Sequence, residues 1–223
     1  MLKDLTAGLV ADRDPAQPLI TYVDGPARIE LSGATTANWV SKTANLLVDG
    51  YGGPDRVGLL LPLHWQLPCL LLGAVASGAT VVVVTSPDQL VGCAVAFTTA
   101  ETAQAALEVG VDEVFACSLT PFATRLAEVP PGVNDAAVDI PSYGDHFSGR
   151  PGSVHVEVAG RPLAVPALDL GPEDRVLTSQ DPRTTEGLGT LLGALAAGAA
   201  VVLLREGDAA AVAAQEGVTR SFA

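Results

Sequence analysis

Apolar positions along the chain change period several times, and each change marks an element. Residues 19–23 and 28–31 alternate with period two around Asp24-Gly25, which predicts a β-hairpin. Ser32 then offers an N-cap, and Ala37, Val40, Ala44 and Leu47 recur on one face, predicting a helix over 34–48 that ends in the stretch 50–54. A block follows that occurs twice. Its first copy, Pro54 to Val84, and its second, Pro172 to Leu204, both open with Asp-Arg-Val, at Asp55 and Asp174, roughly 120 residues apart. The cores LLGAVASGATVV and LLGALAAGAAVV agree at nine of twelve positions. Each copy reads as strand, loop, helix, glycine turn and buried strand, with Gly78 and Gly198 where a left-handed C-cap is needed. The runs 80–84 and 200–204 are apolar almost without interruption, as expected of parallel strands covered on both faces. Each copy is therefore a βαβ unit.

Between the copies, 93–98 and 113–117 read as strands and 100–109 as a helix, while 130–152 reads as loop. Residues 154–158 alternate as a strand, 209–216 form a helix, and Val218-Thr219 begins another strand. A short helix is expected over 4–12. The expected fold is α/β: one three-layer domain over 1–223, with a mainly parallel sheet built from two βαβ halves and a loop-rich insert at 130–152.

Charge narrows the partners. The formal net charge is −13, with no basic run to offset it. Such a surface repels nucleic-acid phosphates and anionic headgroups, so neither nucleic acid nor membrane is an expected partner. Residues 57–85 carry no formal charge over a membrane-spanning length. Pro62, His64, Gln66 and Pro68 interrupt the run, however, and its β-branched tail reads as a strand. The opening residues, with acids on both sides of a short apolar run, are not expected to act as a signal peptide. Cys69, Cys93 and Cys117 are an odd, widely spaced set, expected as buried thiols of a cytoplasmic protein and not as disulfides or metal ligands.

The order of these signals carries a resemblance. ITYVD, TTANWVSKTANLLVDGYGGPDRVGLLLP and LLLGAVASGATVVVV, within 20–84, look like the opening of the AMP-forming acyl-CoA synthetases and related adenylate-forming enzymes; 170–219, with Asp174-Arg175-Val176-Leu177 and GALAAGAAVVLL, resemble a later part of the same N-terminal domain. The resemblance implies a Ser/Thr/Gly-rich ATP-phosphate loop ending Thr-Gly-x-Pro-Lys-Gly between the two regions. Here that interval holds YGDHFSGRPGSVH. Ser148, Gly149, Arg150 and Pro151 echo the loop, Gly152 falls at the lysine, and Asp145, His146 and Phe147 replace small hydroxyl residues. A phosphate cradle needs clustered N–H groups, hydroxyls and a cation. Asp145 adds an anion, which leaves Arg150 to supply a cation for a weak ATP·Mg²⁺ site. The family's Tyr-Gly-x-Thr-Glu motif, its ribose-binding Thr-Gly-Asp and its C-terminal lid lysine have no counterpart in the sequence, and Thr184-Thr185-Glu186 echoes the first of these out of place.

No catalytic residue, metal ligand or resident cofactor is expected. His64 reads as structural, His155 as a strand residue, and His146 beside Asp145 as the best acid–base pair; Asp135 and Asp139 read as solvent-facing. Three functions stay open. The first is a non-catalytic acyl-CoA synthetase-like protein that binds a protein partner or a small carboxylic-acid-like ligand, as a monomer or a homo-oligomer. The second is an acid-activating ligase completed by another chain. The third is a dinucleotide binder using Gly187–Gly193, whose GxGxxxG run opens a helix ahead of a strand and Glu206.

Overall fold

In the computed structural model, residues 14–149 and 155–223 are described; the helix expected over 4–12 lies outside them. In chain order the elements begin with β1 (Pro18–Asp24), β2 (Ala27–Ser32), α1 (Gly33–Asn45), β3 (Arg56–Leu59), α2 (Gln66–Ser77) and β4 (Thr80–Val83). Then come β5 (Val95–Thr99), α3 (Ala100–Glu108), β6 (Glu113–Cys117), β7 (Asn134–Asp135), α4 (Ala136–Asp139), β8 (His155–Val158) and β9 (Arg161–Pro162). The last are β10 (Arg175–Thr178), α5 (Thr185–Ala196), β11 (Ala200–Glu206), α6 (Ala209–Glu216) and β12 (Arg220–Phe222).

The chain divides into two compact units. One comprises the described part of Met1–Ala37, with Pro62–Trp65 and Ala164–Ala223. Its five-stranded sheet has the order β12-β10-β11-β1-β2, parallel except for the β1–β2 hairpin. The other comprises Asn38–Leu61 and Gln66–Leu163 and holds a seven-stranded sheet, β7-β6-β5-β3-β4-β8-β9, parallel except at β9. The fold is thus mixed α/β with two mostly parallel sheets, and each copy of the repeated block seeds one of them.

The copies match down to single hydrogen bonds. The Gly78 and Gly198 amides donate to the carbonyls of Val75 and Leu195, the Ala79 and Ala199 amides to Ala74 and Ala194, and the Thr80 and Ala200 amides to Asp55 and Asp174. Gly78 and Gly198 sit at φ +93° and +82°, where a side chain is strained. That turn lets an apolar helix run straight into the strand beside the one it left. All of α2 from Gln66 to Ala76 is buried, which explains its apolar perimeter. Each fully buried leucine there contributes about 1.5–3 kcal/mol. Among the described residues no helix is long and apolar enough to cross a membrane.

Three readings change in detail. The helix over 34–48 is α-helical only to Asn45, after which 46–50 make a wider π-type turn. That turn takes the adjacent Leu46 and Leu47 both fully inward, and the Gly53 amide closes it on the Leu47 carbonyl. The stretch 130–152 is not all loop, since β7 and α4 lie within it. Asp135 is the reason: its carboxylate caps α4 through the Ala137 amide at 2.9 Å and accepts the Leu126 amide at 3.0 Å. Asp135 is therefore buried and not solvent-facing, and Asp139 is half-buried, its carboxyl pushed above the usual range by burial and then by Asp135. Cys69, Cys93 and Cys117 are free and buried, and burial pushes the Cys69 thiol up to about 12.

In the five-stranded unit, α6 covers Val23, Leu177, Val202 and Leu204 with Val212 and Ala213. Its C-terminal end is pinned by Glu216, 4% exposed, which pairs with Arg28 at 2.6 Å and Arg175 at 2.8 Å; Arg175 also donates to Thr21 at 2.7 Å. The Arg28 bond, then the Arg175 one, hold the Glu216 carboxyl below its ordinary value against the opposing effect of burial. A folded-state value below the unfolded one means stability present above about pH 4.5 and lost as pH falls through the folded value. Glu216→Gln should cost about 1–3 kcal/mol at neutral pH and flatten the acid limb of a Tm–pH profile, as measured by circular dichroism. An unchanged acid limb would show that Glu216 is not the pin.

Candidate functional site

The segment in place of the phosphate loop is held by α1. Lys42 and Asn45 stand three residues apart, on one helical face. Lys42 Nζ donates to the Tyr143 carbonyl at 2.6 Å and to that of Pro141 at 3.3 Å. Asn45 Nδ2 donates to the Gly144 carbonyl at 2.8 Å and to that of His146 at 2.9 Å. Four successive-turn carbonyls are thus drawn onto a helix side chain pair. Tyr143 closes the start of the segment, with its hydroxyl seated against Gly50 so tightly that a Cβ there would overlap it.

Beyond this clamp lies a cavity of about 460 Å³, lined among others by Asn45, Asp49, Ser77, His146 and Phe147, with Ser148 and Gly149 at its edge. Among its described lining residues none is Lys or Arg, and Asp49 brings a carboxylate. The Phe147 ring lies over Gly149, filling the space beside its backbone. Of the expected loop residues, Ser148 and Gly149 therefore reach a cavity; Arg150 and Pro151 lie outside the described residues. His146 and Asp145 are both exposed, and no described hydrogen bond joins their side chains. The segment offers a polyphosphate an aromatic ring, the Asp145 carboxylate and carbonyls already engaged, and Asp49 adds a carboxylate to the cavity wall.

The other candidates have structural employment. Gly187 lies in the first turn of α5, where Thr184 Oγ1 caps its amide at 3.0 Å, and a Cβ on it would overlap the Asp181 carbonyl. A Cβ on Gly193 would come within 2.9 Å of the Pro166 carbonyl, and one on Gly189 within 3.3 Å of the Pro166 ring. These glycines make room for close packing. His64 is fully buried, edge-on to Tyr22 at 4.7 Å. Among the described residues no group of His, Cys, Asp and Glu could hold a metal ion. Sequence reasoning missed the clamp itself. Its one signal was that Lys42 is one of only two lysines in the chain, three residues before Asn45 on a helix.

Known structures place this architecture. An acyl-CoA synthetase of Brucella canis superposes with a TM-score of 0.79 at 19% identity, covering 99% of this chain and 46% of that one. A Mycobacterium tuberculosis fatty acyl CoA synthetase gives 0.71 at 17% identity, over 99% and 48%. A benzoate CoA ligase from Burkholderia xenovorans LB400 gives 0.69 at 16% identity, over 95% and 47%. The structures are covered to about half their length, and the chain has the α/β fold of that half of the acyl-CoA synthetases. No protein-family profile matches it. A Mycobacterium tuberculosis protein described as a TIGR03089 family protein is 36% identical over 213 residues, 88% of this chain and 86% of that one. The chain belongs to the TIGR03089 family.

The clamp gives a direct expectation. Lys42→Met should raise amide hydrogen exchange across 141–149 by about tenfold, the equivalent of one charge-assisted bond, with little change in global Tm. Exchange mass spectrometry reads this, and unchanged protection would mean the segment holds its shape without Lys42.

Proposed function

We propose that this chain is an acyl-CoA synthetase-like protein that forms no adenylate and acts instead by binding a protein partner or a small acid-like ligand. The reading rests on the segment 143–149. A triphosphate needs free N–H groups, hydroxyls and a cation around it. Here Asp145 and Asp49 supply anions, Phe147 covers the Gly149 backbone, and Gly152 stands where the resemblance places a lysine. A carboxylate about 4 Å from a phosphate charge costs about 1 kcal/mol even in bulk water, and more where water is partly excluded. Stabilising an in-line transfer at the α-phosphate requires a field of the opposite sign.

The resemblance implies ATP with Mg²⁺, and these residues do not suit either. The likeness in fold to ligases of acids supports an acid-like ligand as the thing bound, and the acidic surface disfavours nucleic acid and membrane as partners.

Calorimetric titration of Mg·ATP into the full chain should give no saturable heat at millimolar nucleotide, and a panel of carboxylic acids should elicit no pyrophosphate release. A micromolar Kd for ATP would overturn the proposal. Pyrophosphate release that appears only when a second chain is added would support a ligase assembled from two chains instead. The combined change Asp145→Ser, Phe147→Thr and Gly152→Lys should raise ATP affinity at least about tenfold, because it removes an anion and a ring and adds a cation.

A further inference from the structure

A second cavity lies elsewhere, within the five-stranded unit, and its position follows from the chain path. Strands β10 and β11 are parallel neighbours. The chain leaves β10 for α5, which packs against both strands, and leaves β11 for α6, which covers the face carrying Leu177, Val202 and Leu204. Val176, Val201 and Leu203 alternate onto the opposite face and are just as buried. The two outgoing loops therefore part to opposite sides of the sheet beyond the carboxyl ends of β10 and β11. Such a divergence leaves a crevice, and crevices of this kind are where open parallel sheets bind ligands. A cavity of about 230 Å³ occupies it, walled by Pro62, Leu63 and Leu204 and rimmed by Ser179, Asp181, Arg183 and Arg205.

The two arginines differ. Arg183 grips Asp181 with its Nε and Nη2, at 2.9 Å each, so that pair is electrically closed. Arg205 is only loosely engaged. Its Nη1 stands 3.4 Å from the Tyr22 hydroxyl and 3.6 Å from Asp24 Oδ2, and Asp24 Oδ2 itself accepts the Tyr22 hydroxyl at 3.2 Å. Charge-assisted bonds close to about 2.7–2.9 Å, so the Arg205 fork keeps donors to spare. The side chain is 40% exposed and borders the cavity. Asp24 and Glu206 are the carboxylates facing Arg205 and would compete with any anion there.

We infer that this crevice is a site for a small oxyanion, a carboxylate or phosphate head received by Arg205 beside Ser179, with a short apolar tail against Pro62, Leu63 and Leu204. Its volume falls below the 300–1,000 Å³ of pockets for drug-sized ligands, so the occupant has few heavy atoms and is not a nucleotide. The site is independent of the segment 143–149: ATP titration tests the function proposed above, and the anion titration below tests only this crevice.

The experiment is a titration of the ¹⁵N-labelled full chain with butyrate and, separately, ethyl phosphate, at ionic strength matched with chloride. Saturable shifts of the Ser179, Arg183 and Arg205 amides are expected with at least one probe. Preference for butyrate assigns a carboxylate, and preference for ethyl phosphate a phosphate; both support the site. Arg205→Gln should weaken binding at least about tenfold, the loss of a bond to a charged donor, with Arg205→Lys in between. Asp24→Asn, which removes a competitor, should tighten it. Circular dichroism confirms that each variant is folded. The inference is overturned if neither probe saturates, if chloride alone moves the same amides, or if folded Arg205→Gln binds within twofold of the original chain.

Discussion

A strand running parallel to its neighbour cannot turn straight back; it must be reached by a crossover that buries one face of the sheet. Both sheets here are organised by that constraint, and the chain meets it twice with the same solution. A helix apolar enough to be buried ends in Gly-Ala, the glycine takes a left-handed turn, and the strand that follows is apolar on both faces. The arginine that opens each block is also used twice. Arg56 pairs with Glu157 on β8 at 2.9 Å, and Arg175 with Glu216 on α6 at 2.8 Å. The anchors differ because both strands lie among parallel neighbours but β3 has β8 one strand away across β4, whereas β10 lies beneath α6.

Because the packing demand is local and periodic, the elements it governs are legible from residues alone. The hairpin at Asp24-Gly25, both βαβ blocks, the strand at 113–117 and the helix at 209–216 stand where alternation, periodicity and turn residues place them. What escaped was non-local. Asp135 looks like a solvent residue in a polar stretch, yet two amides, one nine residues away, take it inside. The Lys42 and Asn45 clamp joins residues about one hundred positions apart, and no pattern along the chain encodes such a meeting. The assignment of the two blocks to separate sheets is of the same kind, since each block is complete by itself and says nothing of its neighbours beyond the strand it returns to.

On the function proposed above, the segment 143–149 is a site whose chemistry differs while its scaffold stays. Lys42 and Asn45 spend their donors on the carbonyls of 141–146, so a cation near the segment already has internal work. Fold likeness over nearly the whole chain does not by itself carry phosphate chemistry with it, and the function proposed above rests on that distinction. A fold is kept by apolar contacts that tolerate substitution of like for like, whereas a phosphate site is lost when a few donors become acceptors.

The same reasoning explains why a cleft survives elsewhere. The crevice beyond β10 and β11 is a consequence of loops leaving a sheet to opposite sides, so it persists whatever residues line it. Only its chemistry is free to vary. Arg205 follows directly on the apolar strand run 200–204, at the first position where the chain leaves the covered part of the sheet. A charged side chain placed there meets solvent, the strand end and the crevice together. In a chain of net charge −13, a guanidinium with spare donors at a topological crevice is the feature whose position the scaffold dictates and whose charge the surrounding surface does not.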